Sequence, residues 1–468
     1  MVDYDTYQSP FTWRYASVEM RQIWSEKNKR RLWRRIWIVL AETQAEYGLV
    51  TPEQLEQLRL NQEKVDIPRA LQIEAEIHHD LMAELKTFAE QCTLGGGALH
   101  LGATSMDIED NADAIRLRQS LDIIIAKLTR LLLKFSEKIT QWADLPIIAY
   151  THLQPAEPST LGYRLASYAQ DLLLDWDDLR RARRHIRGKG FKGAVGTSAA
   201  YAELLGVDSL SEFETKISTR LGLPFFPVTT QTYPRKQDYQ VMSALAGLGG
   251  SLYKFAFDLR LLQSPPIGEL SEPFGGKQVG SSAMPFKRNP IQAEKIDSLG
   301  RALAQMPRLA WDNAAHSLLE RTLDDSANRR TMLPEAFLIA DELLNATYRL
   351  VDGLKVDLLA MDRNLARYAP FAASERVLMA LVKAGADRQV MHERLRANAM
   401  AAWQELAEGG ENKLAGLLAA DEYIAGYLTA EELHNLMDAS QHLGDAPRRA
   451  CELAATIQAA LEDQDSAT

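Results

Sequence analysis

From Leu121 to Phe135 the apolar residues fall at Leu121, Ile124, Ile125, Leu128, Leu131, Leu132 and Phe135. That i, i+3, i+4 spacing marks one face of a helix. No proline occurs between Asp107 and Leu145, so one long helix is predicted through most of that span. A second proline-free helical stretch runs from about Thr160 to Arg187. A third runs from Arg235 to Ser264, where Pro265-Pro266 ends it. A fourth is read to start at Asn289-Pro290, a capping residue followed by proline at the first helical position. A fifth follows Pro334 and continues to about Val351. Alternating β-branched runs flanked by turn residues are almost absent, so the chain reads as all-α.

The third stretch is apolar or small all round from Val241 to Leu252. A helix with no polar face is normally buried on all sides. Its glycines, Gly247, Gly249 and Gly250, each cost about 1 kcal/mol of helix propensity relative to alanine. Small residues offset this by letting neighbouring backbones approach. Five long helices can hardly enclose such a segment, so a bundle shared between subunits is expected. The other reading is a core helix inside a large monomer.

Composition refines this picture. At about 150 residues per domain, 468 residues suggest roughly three domains. The glycine-rich segment Thr93 to Ala98 reads as a hinge, and the pattern changes again near Val356-Asp357. The expected division is 1-103, 104-356 and 357-468, with shorter and more charged helices in the last part. The polar tail Glu462 to Thr468 is expected to fray. Hydrophobic residues make up 46% and charged residues 25%, as in ordinary globular proteins. A net charge of -10 argues against a nucleic-acid partner, yet arginines focused in a cleft can still bind an anion. The two cysteines, Cys92 and Cys451, exclude a disulfide framework and a CxxC metal pattern. The most apolar long stretch, Val241 to Leu262, contains Lys254, Asp258 and Arg260, so no membrane span is expected. The first residues lack the basic and apolar regions of a signal peptide, and the cytoplasm is the expected location.

Three groups of residues can carry chemistry. Pro273 to Gly280 supplies three glycines ahead of Ser281, Ser282, Lys287 and Asn289. This fits a surface loop with a helix cap, or a glycine-hinged lid bearing catalytic groups. His78-His79-Asp80, His100 and His152 form a second group. Adjacent histidines on a helix point about 100° apart, and no HxxxH occurs, so no metal site is expected. His152 lies in a loop between proline-marked elements, where a histidine can be structural or a general acid or base. Glu320 to Arg330 carries Arg321, Arg329 and Arg330 with Ser326. It can bind an anion, or form a salt-bridged turn with Glu320, Asp324 and Asp325.

The run Gly280-Ser281-Ser282-Ala283-Met284-Pro285-Phe286-Lys287-Arg288-Asn289-Pro290 matches GSSxMPxKxNP, the signature of the fumarase/aspartase superfamily. Arg14-Tyr15 with Ser17 to Met20, His100 to Ser105, Thr151 to Ala156, Gln231 to Lys236 and Glu320 to Arg330 resemble the adenylosuccinate lyase family, most closely its animal-type form. The likeness spans about Tyr7 to Met400. It implies an all-α, three-domain protein whose long central helices form a twenty-helix core in a homotetramer, with active sites shared between subunits. The implied reaction is β-elimination of fumarate from adenylosuccinate, or from the succinyl-aminoimidazole-carboxamide ribotide, without metal or cofactor. An alternative is another fumarate-releasing lyase of the superfamily, such as one acting on argininosuccinate. By the family's pattern Ser281 would be the base and His152 the acid, with His79 near it. Lys287 and Asn289 would hold the fumaryl carboxylates with Ser282, Thr104, Ser105 and Gln231. Arg14, Tyr15, Arg321, Ser326 and Arg330 would hold the nucleotide. His78, His79 and Asp80 align with a binding triplet that usually begins with arginine. Lys295 stands where the animal form has arginine and loses the bidentate fork.

Overall fold

The computed structural model describes residues 5–438 and 442–465, with side chains to residue 462. The end of the polar tail read at Glu462 to Thr468 therefore lies outside the described residues. In chain order the main elements are α1 (Glu26–Ala45), α2 (Ile67–Ile77), α3 (Asp80–Gln91) and α4 (Ser105–Gln141). The hairpin β1 (Pro146–Thr151) and β2 (Gln154–Thr160) follows, then α5 (Leu161–His185), α6 (Lys236–Leu262) and β3 (Leu270–Ser271). After these come α7 (Ile291–Leu303), α8 (Asp324–Asp352), β4 (Lys355–Val356), α9 (Leu358–Lys383) and α10 (Arg388–Ala407). The fold is all-α, as the apolar spacing predicts.

The predicted long helix is α4, and its apolar stripe from Leu121 to Phe135 is buried throughout. α5 and α6 also lie where the spacing places them, and α6 stops just before Pro265-Pro266. Two helix starts differ from expectation. α7 begins at Ile291, and the Asn289 side chain bonds the Gly280 carbonyl rather than capping the helix. α8 begins at Asp324 and runs straight through Pro334. A proline inside a helix loses one backbone bond, but the acidic first turn of Asp324 and Asp325 suits the helix dipole and favours the earlier start. α9, at 26 residues, also shows that the helices do not shorten at once beyond residue 357.

The chain divides into two units. The first comprises residues 1–128, 175–250 and 299–345. In it α1 buries Leu32, Trp33, Ile36, Trp37 and Leu40 along one face. The same helix buries Arg30 and Arg34, whose guanidinium groups reach Glu84 at 3.0 and 2.6 Å. Charges taken so far from water persist only when paired in this way. The second unit comprises residues 129–174, 251–298 and 346–468. Its helical core is built from Val377, Leu381, Met391, Leu395, Leu414 and Leu418.

The helix that holds the all-round apolar stretch Val241 to Leu252, α6, is open to solvent along part of its surface. Gly247, Gly250, Lys254, Phe257 and Leu261 are exposed, whereas Leu245, Leu248, Leu252 and Leu259 are buried. Exposure recurs at three- and four-residue steps, which is one open helical face. Gly249 faces the covered side, where an added Cβ would stand 3.0 Å from Leu303.

Candidate active site

In the hairpin Thr151 pairs with Gln154, so His152 and Leu153 form a two-residue turn. Their φ values are 53° and 61°. Positive φ at both central positions is the type I′ form of such a turn, usually supplied by Asn-Gly. Non-glycine residues there carry strain on the order of 1–3 kcal/mol each. The sequence reading placed His152 in a loop and saw almost no strand signal. Two features override that reading. Ile147 and Ile148 are buried, which pins one strand. Pro155 and Pro158 sit on a strand of a two-stranded sheet, where a proline need not break a ladder on its outer side. The result is an exposed imidazole on a rigid, strained tip.

Ser281 lies in the loop between β3 and α7. Its Oγ accepts hydrogen bonds from the N–H groups of Ala283 (3.4 Å) and Met284 (3.1 Å). Asn289 Nδ2 donates to the Gly280 carbonyl at 2.9 Å, which closes the loop on itself. Gly280 is required there, because an added Cβ would lie 2.3 Å from the Lys287 carbonyl oxygen. The base of the loop is pinned by Gln263, which accepts from the Glu272 N–H and donates to the Arg288 carbonyl. Glu272 in turn accepts from the N–H groups of Gln292 and Ala293 at the start of α7. Between these anchors Ser282, Lys287, Val279 and Phe286 are exposed. Lys295 is half-buried on α7.

The first unit gathers most of the remaining residues. His78 is the left-handed end of α2 and His79 the residue before α3. The two histidines therefore occupy a kink rather than one helix, which corrects the helical placement used in the sequence reading. His79 Nε2 lies 3.3 Å from Ser105 Oγ, and its Nδ1 is 3.8 Å from Asp80 Oδ1. Asp80 Oδ2 pairs with Arg330 Nη2 at 2.9 Å. Burial alone would raise the Asp80 carboxyl, but Arg330 and Lys29 outweigh it and hold it below its ordinary value. The Thr104 N–H donates to Asp107, which is itself buried against the Lys189 ammonium. His100 accepts from the Trp37 indole at 3.0 Å, and burial lowers its pKa, so it serves as a packed neutral ring.

Arg321 is aimed by a buried relay. Its Nη1 donates to Asp325 Oδ1 at 2.8 Å, and Arg235 Nε donates to Asp325 Oδ2 at 2.5 Å. Arg235 also binds Asp110 at 2.9 Å. The Gln231 N–H donates to the Glu320 carbonyl, which ties the Gln231 segment to the Arg321 segment. A cavity of ≈ 510 Å³ lined by Thr230, Thr232, Arg235 and Trp311 lies beside them. Ser326 stands in the first turn of α8. Arg14 and Tyr15 precede Ala16 and Ser17, whose N–H groups donate to Glu342 and Asp341 of α8. Arg14, Arg321 and Arg330 are thus three cations of the first unit, each of a kind suited to an anion. Among the described residues no group of three or more His, Cys, Asp or Glu is arranged to hold a metal ion.

The expected residues fall into two sets. Arg14, Tyr15, His78, His79, Asp80, Thr104, Ser105, Gln231, Arg321, Ser326 and Arg330 belong to the first unit. His152, Ser281, Ser282, Lys287, Asn289 and Lys295 belong to the second. Within that unit no hydrogen bond or ion pair among the described residues joins Ser281 to His152. The salt-bridged turn read as the alternative for Glu320 to Arg330 does form, as the Arg321–Asp325 pair, but sequence reasoning missed Arg235 as the second cation on Asp325. It also missed Glu109, one helical turn beyond Ser105 on α4, where the i, i+4 spacing was the available signal.

A helical fold carrying a GSSxMPxKxNP loop defines a lyase of the fumarase/aspartase type. A family model described as "Lyase" matches residues 13–303, and one described as "Adenylosuccinate lyase C-terminus" matches residues 370–450. The adenylosuccinate lyase of Saccharomyces cerevisiae is 40% identical over 457 residues, covering 96% of this chain and 94% of that protein. That of Schistosoma mansoni is 42% identical, covering 95% of this chain and 94% of the relative. In structure the chain resembles 3-carboxy-cis,cis-muconate lactonizing enzyme from Pseudomonas putida, with a TM-score of 0.85 at 24% identity. That match covers 97% of this chain and 100% of the other, and it speaks to the fold alone. The chain belongs to the adenylosuccinate lyase family and is an enzyme.

Proposed function

We propose a division of labour for an elimination in which adenylosuccinate, and equally the succinyl-aminoimidazole-carboxamide ribotide, loses fumarate. The carbon–nitrogen bond breaks, AMP leaves from the first substrate, and a carbon–carbon double bond forms. Ser281 takes the proton beside the carboxylate. A serine is a weak base at its ordinary pKa, so its alkoxide needs donors. The N–H groups of Ala283 and Met284 on Ser281 Oγ are the observation that carries this assignment. Lys287 and Asn289, with Ser282, Thr104, Ser105 and Gln231, hold the carboxylates as charge develops on them. His152 protonates the departing nitrogen, with His79 beside it. Arg14, Tyr15, Arg321, Ser326 and Arg330 take the nucleotide phosphate, with Lys295, His78 and Asp80 at the edge of the substrate site.

The arrangement needs more than one copy. The open face of α6 supports a homotetramer in which subunits share their active sites. The three-part division at residues 1-103, 104-356 and 357-468 belongs to the same proposal, as does a cytoplasmic location; no helix among the described residues is long and apolar enough to cross a membrane. Purified protein mixed with adenylosuccinate should yield AMP and fumarate in equal amounts. Absence of both products would reject the reading.

A further inference from the structure

Glu109 sits on α4 four residues after Ser105, so the two share a helix face. Ser105 contacts His79, and Asp80 beside it pairs with Arg330. The neighbouring carboxylates of α4 are matched by cations. Asp110 meets Arg235, and Asp113 meets Arg116 and Arg329. Glu109 is half-buried, and no hydrogen bond or ion pair holds its carboxyl among the described residues. Arg330, already engaged by Asp80, is the cation that pulls on it.

We propose that Glu109 is a proton-gated positioning residue of the anion subsite. Uncharged, it leaves Arg330 available to a phosphate dianion; ionised, it competes for that guanidinium and repels the anion. The inference rests on the reading of Arg330 as a phosphate ligand. The charged groups that act on Glu109 are Asp80 of α3, Arg330 of α8, and Asp110 and Asp113 on its own helix; Arg329 of α8 pairs with Asp113, and the titratable ring of His79 lies beside Asp80. Lys29 of α1 acts on Asp80, and Glu74 of α2 acts on Arg330. Burial first, then Asp80, Asp113 and Asp110, push the Glu109 carboxyl up to about 8, against the pull of Arg330. The gate therefore opens and closes just above neutral pH. AMP, whose phosphate has a second pKa of about 6, keeps its charge across that range.

The test is AMP binding to the whole protein by calorimetry at pH 7 and pH 9. If only the protonated form binds, the wild-type Kd rises about tenfold over that interval. Glu109→Gln should give the same Kd at both values. A wild type without this rise, or a Glu109→Gln variant that keeps it, overturns the proposal. Should the variant fail to fold, proton uptake decides on the wild type alone. Binding at pH 8.5 in buffers of different ionisation enthalpy should take up about three quarters of a proton, and no uptake refutes the gate. Undiminished AMP binding by Arg330→Ala identifies a different failure, that of the phosphate reading itself.

Discussion

Asp325 holds two guanidinium groups at once, and Asp325→Asn isolates what that contact does. Arg235 donates at 2.5 Å and Arg321 at 2.8 Å. At an effective dielectric constant of about 20, each pair contributes roughly 4 kcal/mol of attraction at about 4 Å between charge centres. Desolvating the carboxylate costs several kcal/mol. Arg235 keeps Asp110 in the variant, so the expected net loss is about 3 kcal/mol, or roughly 150-fold in the folding equilibrium. Urea unfolding at pH 7 measures it. Burial would raise the Asp325 carboxyl, but Arg235, Arg329 and Arg321 outweigh it and hold the pKa below 3.8. A depressed carboxylate contributes its stability above the unfolded-chain value and loses it as pH falls through the folded one. The gap between wild type and variant should therefore stay constant from neutral pH down to about 5 and shrink below about 4. Catalysis offers a second readout. Arg321 keeps its charge but loses its direction, so KM for adenylosuccinate should rise about tenfold with kcat little changed. A variant as stable as wild type at pH 7, or a gap that ignores acid, would refute the relay.

Ser281→Ala and His152→Ala should each lower kcat at least a hundredfold while leaving the circular dichroism spectrum unchanged; near-normal turnover in either removes that residue from its role. Gly280→Ala places a Cβ 2.3 Å from the Lys287 carbonyl, so it should distort the loop and cut kcat about as deeply without lowering the melting temperature. A large thermal loss with activity intact would contradict that. Sedimentation at micromolar concentration should give a tetramer, and a monomer would defeat the shared-site model.

The long helices were legible because an apolar stripe repeats at helical spacing wherever a helix lies on a core. Leu121 to Phe135 is such a stripe, and all of it is buried. Helix starts were less legible. Asn289-Pro290 looks like a cap, yet the Asn289 amide closes the Ser281 loop on the Gly280 carbonyl. Pro334 looks like a start, yet α8 passes through it. In both places a local preference of about 1–3 kcal/mol was outweighed by contacts along the rest of the element. The hairpin at His152 was illegible for a related reason. Its turn takes positive φ at two residues that ordinarily avoid it.

By itself the sequence determined the helical class, the loop from Gly280 to Pro290 and the identity of the side chains that can bind an anion. These depend on spacing and residue type, which the linear order holds. Tertiary structure alone decided which of those side chains meet. Asp80 finds Arg330 across 250 positions because α3 and α8 pack within one unit. Asp325 holds Arg321 from one helical turn away, but Arg235 joins the same carboxylate from 90 positions away. The Glu109 carboxyl is pushed up by burial and by Asp80 and pulled down by Arg330, groups remote in the chain, as well as by Asp110 and Asp113 beside it. An electrostatic environment is a property of packed neighbours, and a local pattern of residues encodes only part of it.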